Sequence, residues 1–223
     1  EKSLTQAGDS VVSTTKDKTY KVVDVSQKVA TKTVAVTKES YGYPIHDDIL
    51  KLIDQAADAL QDAGYEVQEV RTPSIEEPFR AWFRTLMTEM NVGLLPQILE
   101  HGSDDIKTTF DYFFRMGEVL ELDTFITDFG ERTRMMRDWN LFLSEFPLTL
   151  TPFYMSRLYD WDYDLQSFEA CKDFVEASSY SWSINYLGLP AGVIGTGLVE
   201  GRPGAVQVVG QRYREDLICD ALE

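Results

Sequence analysis

The sequence has few of the residues that build disulfide frameworks and metal sites. It contains two cysteines, Cys171 and Cys219, with no CxxC pair, and two histidines, His46 and His101. Two cysteines in a chain of this length indicate neither a disulfide scaffold nor a thiolate metal site. We therefore expect no metal and no cofactor, and a reducing cytoplasmic setting is the default for such a chain.

Long apolar runs and concentrated positive charge are also missing. No stretch of eighteen apolar residues occurs, which argues against a membrane-spanning helix. The 37 acidic residues outnumber the 21 basic ones, and the formal net charge is −16 at pH 7. An acidic surface repels nucleic-acid phosphates and anionic lipid, so we expect no nucleic-acid partner and interpret the charge as serving solubility.

The chain starts without an initiator methionine and without a signal-peptide core. We therefore expect it to be processed, trimmed or a fragment. Residues 1–31 are rich in Ser, Thr, Lys and Asp, and Val11–Val12 and Val22–Val23 are their candidates for short strands. We interpret residues 1–31 as a polar N-terminal tail or linker and residues 32–223 as the folded domain.

The first part of this domain has the pattern of a βαβ unit. Residues 33–37 form a β-branched run typical of a buried strand. Asp47 or Asp48 is expected to cap a helix whose apolar residues recur at helical spacing from Ile49 to Leu60. Residues 65–70 alternate as a second strand, and a right-handed crossover would make the two strands parallel.

The middle of the chain is predicted to be helical, and the end returns to strands. A buried strand is predicted at 147–152, a hairpin from 191–196 and 204–210, and a last helix from Glu215. The helical segments are expected at 76–91, 94–101, 107–115, 118–143 with a break near Phe129–Gly130, and 167–177. The predicted fold class is α/β, with a mixed β-sheet covered by helices.

Two motifs near the C-terminus carry a family resemblance. Residues 185–191 read Asn-Tyr-Leu-Gly-Leu-Pro-Ala, and residues 204–210 read Gly-Ala-Val-Gln-Val-Val-Gly. With the strand at 33–36 and the Thr151–Pro152 pair, this order resembles the amidase signature family over about residues 32 to 223. The resemblance implies a mixed sheet covered by helices. It also implies amide hydrolysis by a Ser–Ser–Lys triad, with backbone N–H groups holding the oxyanion.

The sequence departs from the family at its catalytic segment. The family places the lysine and both serines in its N-terminal half, within a run rich in glycine and serine, and this chain has no such run. The Ser178–Ser179 pair lacks flanking glycines and is interpreted as a polar loop. No Gly-x-Ser-x-Gly motif offers a nucleophile to either histidine. We assign no catalytic residue and interpret the chain as the C-terminal half of an amidase-signature fold, whose N-terminal half is separate, cleaved or lost.

The resemblance also implies that the helical middle lines the substrate pocket. The candidate substrate-binding residues are Phe125, Trp139, Phe153, Tyr154, Trp182 and Asn185. Aromatic residues at helical spacing are more often part of a plain core, and an Asn before a turn more often binds its own backbone. Gln207 interrupts an apolar strand, and the resemblance implies that it bonds into the neighbouring half of the sheet.

These observations predict part of an amidase that hydrolyses a carboxylic amide C–N bond. The chain would supply scaffold and pocket for a small-molecule amide, and an N-terminal half or other chain would complete the sheet. The aromatic-rich middle favours an apolar or aryl amide. The alternative is a non-catalytic binding or regulatory protein that keeps the scaffold and covers its edge with residues 1–31. An exposed apolar strand edge would favour the first.

Overall fold

The computed structural model describes residues 3–7, 10–15, 18–22 and 32–223. Its first three strands, β1 (Ser3–Ala7), β2 (Ser10–Thr15) and β3 (Lys18–Val22), form an antiparallel sheet in that order. Val11–Val12 lies in β2 and Val22 ends β3, whereas Val23 lies outside the described residues. The interpretation of residues 1–31 as a tail or linker stays a prediction.

The domain that follows is organised around a mixed five-stranded sheet. Its strand order is β5-β4-β6-β8-β7. The central strand β6 is parallel to β4 and antiparallel to β8, and β4 is also parallel to β5, as the βαβ pattern predicts. The strands are β4 (Thr33–Val36), β5 (Glu66–Glu69), β6 (Leu148–Pro152), β7 (Ala191–Val199) and β8 (Arg202–Gly210).

Eight helices in the described residues accompany this sheet and confirm the α/β fold class. They are α1 (Asp47–Asp62), α2 (Glu76–Gly93), α3 (Leu95–His101), α4 (Asp104–Met116), α5 (Leu122–Glu145), α6 (Phe168–Ala177), α7 (Ser179–Leu187) and α8 (Glu215–Leu222). In the same residues, no helix combines the length and the apolar character that crossing a membrane requires.

Helix α1 packs its predicted apolar face on the sheet. Ile49 and Ile53 are buried against strand residues such as Val34. The predicted Asp cap is wrong, because His46 Nδ1 accepts the Asp48 N–H at 3.1 Å. A neutral imidazole nitrogen provides the same acceptor as a carboxylate. The two aspartates lie in the first turn, where negative charge is favourable.

A second core joins α2, α5 and α7. Its fully buried side chains include Trp139 on α5 and Tyr180 and Leu187 on α7. The predicted break near Phe129–Gly130 is wrong, because α5 runs unbroken from Leu122 to Glu145. The burial of Met135, Trp139 and Leu143 in the second half of α5 outweighs the roughly 1 kcal/mol that a glycine costs within a helix.

Two further predictions, both about polar residues, are wrong because these residues are buried and hydrogen-bonded within this chain. Ser178–Ser179 is not a loop, since Ser178 joins α6 to α7 and Ser179 begins α7. Both serines are buried, and Ser178 Oγ donates to the Phe174 carbonyl at 3.0 Å.

Gln207 has its partner within this chain, because its Nε2 donates to Thr151 Oγ1 on β6 at 3.2 Å. It therefore needs no second half of the sheet to be paired.

Candidate functional site

A cleft of about 540 Å³ opens between α2, the end of α4, α6 and the loop after β4, and we call it the larger cleft. This volume is within the range of small-molecule sites, roughly 300 to 1,000 Å³. Its apolar lining is mostly aromatic and comprises Tyr41, Tyr43, Phe79, Phe83, Phe168, Met116 and Val175. None of these aromatic residues is among the substrate candidates predicted from the sequence.

The larger cleft depends on a close approach of α4 to α2. Gly117 directly follows α4, and a Cβ at that position would lie 2.4 Å from Met87 Cγ. Only glycine lets the chain pass so near α2 without displacing a side chain. Behind this contact, Phe83 packs edge-to-face on Phe113 with ring centroids 6.0 Å apart. The aromatic floor is therefore held by helices that are distant in sequence.

Charged side chains surround the aromatic floor. The cations are Arg80, Arg84, Arg115 and Lys172, and the carboxylates are Glu76, Glu118 and Glu176. Arg80 donates from Nε and Nη2 to Glu76 at 2.9 and 2.7 Å. Lys172 lies 3.7 Å from Glu176. In both pairs the opposite charges lie one helix turn apart and offset each other. The cleft therefore combines an aromatic floor with charged side chains of both signs.

One wall of the larger cleft is fixed by a carboxylate that accepts three phenols. Tyr43 Oη donates to Asp173 Oδ1 at 2.8 Å, and Tyr163 Oη donates to Oδ2 at 3.0 Å. Tyr159 also donates to Oδ2, and its ring stacks on Tyr163 with centroids 4.0 Å apart. Burial first, and then hydrogen bonding to Tyr159 and the nearby carboxylate, raise the pKa of Tyr43. The cluster therefore keeps its phenols neutral.

A smaller cleft of about 270 Å³ lies along another face of α2 and includes Asn185. Beside it, the Trp82 and Trp182 rings stack at 4.4 Å with an interplanar angle of 10°. In the described part of the chain, the buried Trp182 Nε1–H and Tyr186 hydroxyl have no hydrogen-bond partner. The smaller cleft therefore has an aromatic wall and unsatisfied polar atoms near it.

The structure spreads the six predicted substrate residues over several environments. Trp182 and Asn185 lie close together on α7, where Asn185 is exposed. Trp139 is buried and donates its ring N–H to the Ser74 carbonyl at 3.3 Å. Phe125 is half-buried on α5.

Phe153 and Tyr154 follow β6 directly and are half-buried, and the Tyr154 hydroxyl donates to the Phe174 carbonyl at 3.4 Å. None of the six predicted residues lines the larger cleft, and their substrate roles stay predictions. The helical spacing of Phe79 and Phe83 was the sequence signal for this floor. Without the packing of α4 and α6, that signal indicates only a buried helix face.

The lining of the larger cleft offers no evident nucleophile–base pair in the described residues. Ser179 is its only serine and Lys172 its only lysine. Lys172 pairs with Glu176 rather than with the serine. An activated serine needs a base within hydrogen-bond reach. The described lining can therefore bind and orient a small molecule, and we assign it no catalytic residue.

The two edges of the five-stranded sheet differ sharply. The edge strand β5 has four residues and carries Glu66 and Glu69. The edge strand β7 has nine residues and no charge, and Val193 and Leu198 are 45% and 63% exposed. No other described strand pairs with the outer side of β7. Exposed edges of monomers are usually short, charged, covered or twisted away by a bulge. Within the part of the chain that the structure describes, strand β7 is long, uncharged and uncovered, and its one irregularity is a register shift between Gly195 and Gly197.

Comparison with known proteins places these features in a family. The model of the family described as Amidase matches residues 5–219. Indoleacetamide hydrolases from Bradyrhizobium diazoefficiens and Bradyrhizobium japonicum are each 30% identical over 189 residues, or 84% of this chain. The chain spans only 36% and 41% of the length of these two relatives.

Solved structures agree in fold. A 6-aminohexanoate cyclic dimer hydrolase matches 85% of this chain and 43% of its own, with a TM-score of 0.69 and 16% identity. A bacterial aryl acylamidase of the amidase signature family matches 86% of this chain and 42% of its own, with a TM-score of 0.64 and 19% identity. With the family match over residues 5–219, the conclusion is plain: this chain belongs to the amidase signature family.

Proposed function

We propose that this chain is part of an amidase that hydrolyses the C–N bond of a carboxylic amide. In this proposal it supplies scaffold and substrate cleft, and the Ser–Ser–Lys triad lies on an N-terminal half that docks against it. The observation that carries the proposal is the long, uncharged and exposed edge strand β7. Such an edge is a template for pairing with another strand.

The opposite edge of the sheet provides the comparison that favours docking at β7. Strand β5 carries two carboxylates in four residues, which disfavours strand addition there. Strand β7 offers nine residues of free backbone edge, with Val193, Ile194 and Leu198 exposed along it. A sheet-completing half that pairs with β7 would cover these side chains and satisfy the free backbone groups.

The alternative of a non-catalytic scaffold protein required residues 1–31 to cover this edge. In the described residues, β1, β2 and β3 pair with one another, and none of them pairs with the five-stranded sheet. This pairing gives the alternative no support. We therefore keep the two-part amidase as the proposed function.

The larger cleft supports a small aryl amide as the substrate class. Its floor includes the rings of Phe79, Phe83 and Phe168, and its volume of about 540 Å³ suits a molecule of that size. The two curated relatives are named indoleacetamide hydrolases, and indoleacetamide combines an aromatic ring with a primary amide. We propose that ring stacking on this floor orients the amide toward the catalytic half.

Native mass spectrometry of the protein from its source tests the proposal, followed by sequencing of each polypeptide. We expect either a partner chain or a longer polypeptide that carries a lysine and a Gly/Ser-rich segment. The purified species should release ammonia from indoleacetamide. A lone, monodisperse species of 25.4 kDa that hydrolyses no amide would overturn the proposal.

Variants of the two edge strands, expressed with the rest of the amidase, show which edge is the docking surface. Leu198→Lys places a charge on the exposed β7 edge and should abolish both docking and amide hydrolysis. Gln68→Lys makes the same charge change on the exposed β5 edge and should leave both unchanged. Equal behaviour of the two variants would show that β7 is not the docking edge.

A further inference from the structure

Arg115 differs from the other cations of the larger cleft because it lies on aromatic rings. It is in the last turn of α4, and its guanidinium carbon is 4.2 Å from the Phe168 ring centroid. The Tyr112 ring lies on the same group at 5.6 Å. A guanidinium held against two rings keeps its planar fork in place although the side chain is 53% exposed.

The donors of Arg115 are also free. Its closest carboxylate, Asp111, is 3.8 Å away, beyond hydrogen-bond range. In the described part of the chain, Arg115 donates no hydrogen bond that meets normal geometry. By contrast, Arg80 is held by Glu76 through two donors.

In the described residues, the remaining two cations of the cleft do not lie over an aromatic ring as Arg115 does. Arg84 Nη2 lies 2.7 Å from Asp128, and Lys172 lies 3.7 Å from Glu176 on the same helix face. Of the three cleft carboxylates, Glu76 accepts two hydrogen bonds from Arg80, and Glu176 has only the looser ion pair with Lys172. Glu118 is the remaining one, and it is exposed near Arg115 in sequence.

A free guanidinium fork above an apolar aromatic floor matches one ligand chemistry. The fork fits a carboxylate through two parallel N–H···O bonds. Phe168 lies under Arg115 and lines the cleft together with Phe79 and Phe83, so a flat ring fits beside the fork. We propose that the larger cleft binds an aromatic carboxylate, with its carboxylate on Arg115 and its ring on this floor.

The link to catalysis rests on the proposed function. Hydrolysis of an aryl-substituted acetamide breaks the C–N bond, adds the oxygen of water to the carbonyl carbon and gives a carboxylate and ammonium. The acid product keeps the ring of the substrate and gains the charge that Arg115 recognises. The bound acid would therefore occupy the substrate cleft and inhibit competitively.

Calorimetric titration of the 223-residue chain at low salt tests the binding. The probes are indole-3-acetate, indole-3-acetamide and acetate, which separate the ring from the charge. We expect indole-3-acetate to bind about fivefold more tightly than the neutral amide, because an exposed ion pair of good geometry contributes up to about that factor. Acetate alone should show no saturable binding. Equal affinity for acid and amide, or no binding of the acid, would overturn the proposal.

Matched variants locate the charge. Arg115→Gln should weaken indole-3-acetate about fivefold and leave indole-3-acetamide unchanged. Arg80→Gln removes the same charge from the same cleft. Because the Arg80 guanidinium already donates to Glu76, this variant should change the affinity for indole-3-acetate less than about twofold. Glu118→Gln should increase the affinity for indole-3-acetate, because it removes a negative charge from the cleft. A loss in Arg80→Gln as large as that in Arg115→Gln would mean general charge attraction and overturn the assignment.

Two readouts separate this inference from the proposed function. Urea unfolding of each variant confirms that lost affinity is not lost folding. In the amide-hydrolysing complex, indole-3-acetate should raise KM for the amide and leave kcat unchanged, and Arg115→Gln should relieve this inhibition. If the complex hydrolyses amides but the acid neither binds nor inhibits, only this inference fails. If the isolated chain binds the acid but no source preparation hydrolyses amides, the proposed function fails and the site stands.

Discussion

Asp173 accepts a hydrogen bond from Tyr43 at 2.8 Å, although 130 residues separate the two in the sequence. Tyr43 belongs to the loop between β4 and α1, and Asp173 belongs to α6. Their contact ties the two together along the larger cleft, which Tyr43 lines. The shape of that wall therefore depends on one carboxylate rather than on local backbone structure.

Asp173→Asn should destabilise the fold measurably. A neutral amide loses the charge that strengthens three phenol hydrogen bonds, and its NH₂ group cannot accept them. We expect the free energy of unfolding to fall by about 2 to 3 kcal/mol in urea titrations. Tyr43→Phe removes the bond to Asp173 and the 3.2 Å hydrogen bond between the Tyr43 and Tyr159 hydroxyls, and it should cost about 1 to 2 kcal/mol. Asp58→Asn on the exposed side of α1 is the control and should stay within about 0.5 kcal/mol of the parent. Equal stability of Asp173→Asn and Asp58→Asn would contradict this account.

The same cluster predicts a loss of stability in alkali. Burial raises the pKa of Tyr43, Tyr159 and Tyr163 above that of an unfolded phenol, about 10. Below that pH both states keep the protons and the stabilisation is complete. Above it, only the unfolded state releases them, so the free energy of unfolding falls as pH rises.

Urea unfolding between pH 8 and 11, with phenolate absorbance as a second signal, measures this effect. The slope against pH should be smaller in Tyr43→Phe, which has one fewer raised phenol. Titration of all eleven tyrosines with one midpoint near 10 in the folded protein would contradict the prediction.

Local sequence patterns predicted the helices and strands in which apolar residues recur at a regular spacing. The apolar spacing of α1 and the glycine after it gave a correct helix and stop, since Gly64 has φ of +86°. The alternation at β5 and the turn before β8 likewise placed two strands. In these segments each residue's environment follows from near neighbours in the chain.

The larger cleft could not be predicted in this way. It exists because α2, α4 and α6 approach one another, and that approach depends on contacts such as the one between Gly117 and Met87. Helix α7 was missed for a related reason. Its serines resemble a loop in sequence, but Ser179 and Ser183 are buried, and Ser183 Oγ donates to the Ile75 carbonyl at 2.6 Å.

Gly117→Ala should disturb the larger cleft because the new methyl would meet Met87 Cγ at 2.4 Å. Overpacking of this kind costs roughly 1 to 3 kcal/mol in the free energy of unfolding. Gly93→Ala is the matched control, because a Cβ there has nothing within 4 Å and the position ends α2. It should be neutral or slightly stabilising. Thermal unfolding of the two variants measures the difference, and equal midpoints would show that the α2–α4 contact yields without cost.

Trp82 and Trp182 should couple energetically, because their rings stack at 4.4 Å between α2 and α7. A double-mutant cycle with Trp82→Leu and Trp182→Leu should give a coupling energy of about 0.5 to 1.5 kcal/mol from urea unfolding. Both single variants should also weaken the near-ultraviolet circular dichroism that stacked indoles produce. Trp161→Leu makes the same change at a side chain that is 91% exposed, so it should alter neither quantity. A coupling energy of zero would mean that the two rings contribute area but no specific contact, and that α2 and α7 are held together by Ser183 and the aliphatic core instead.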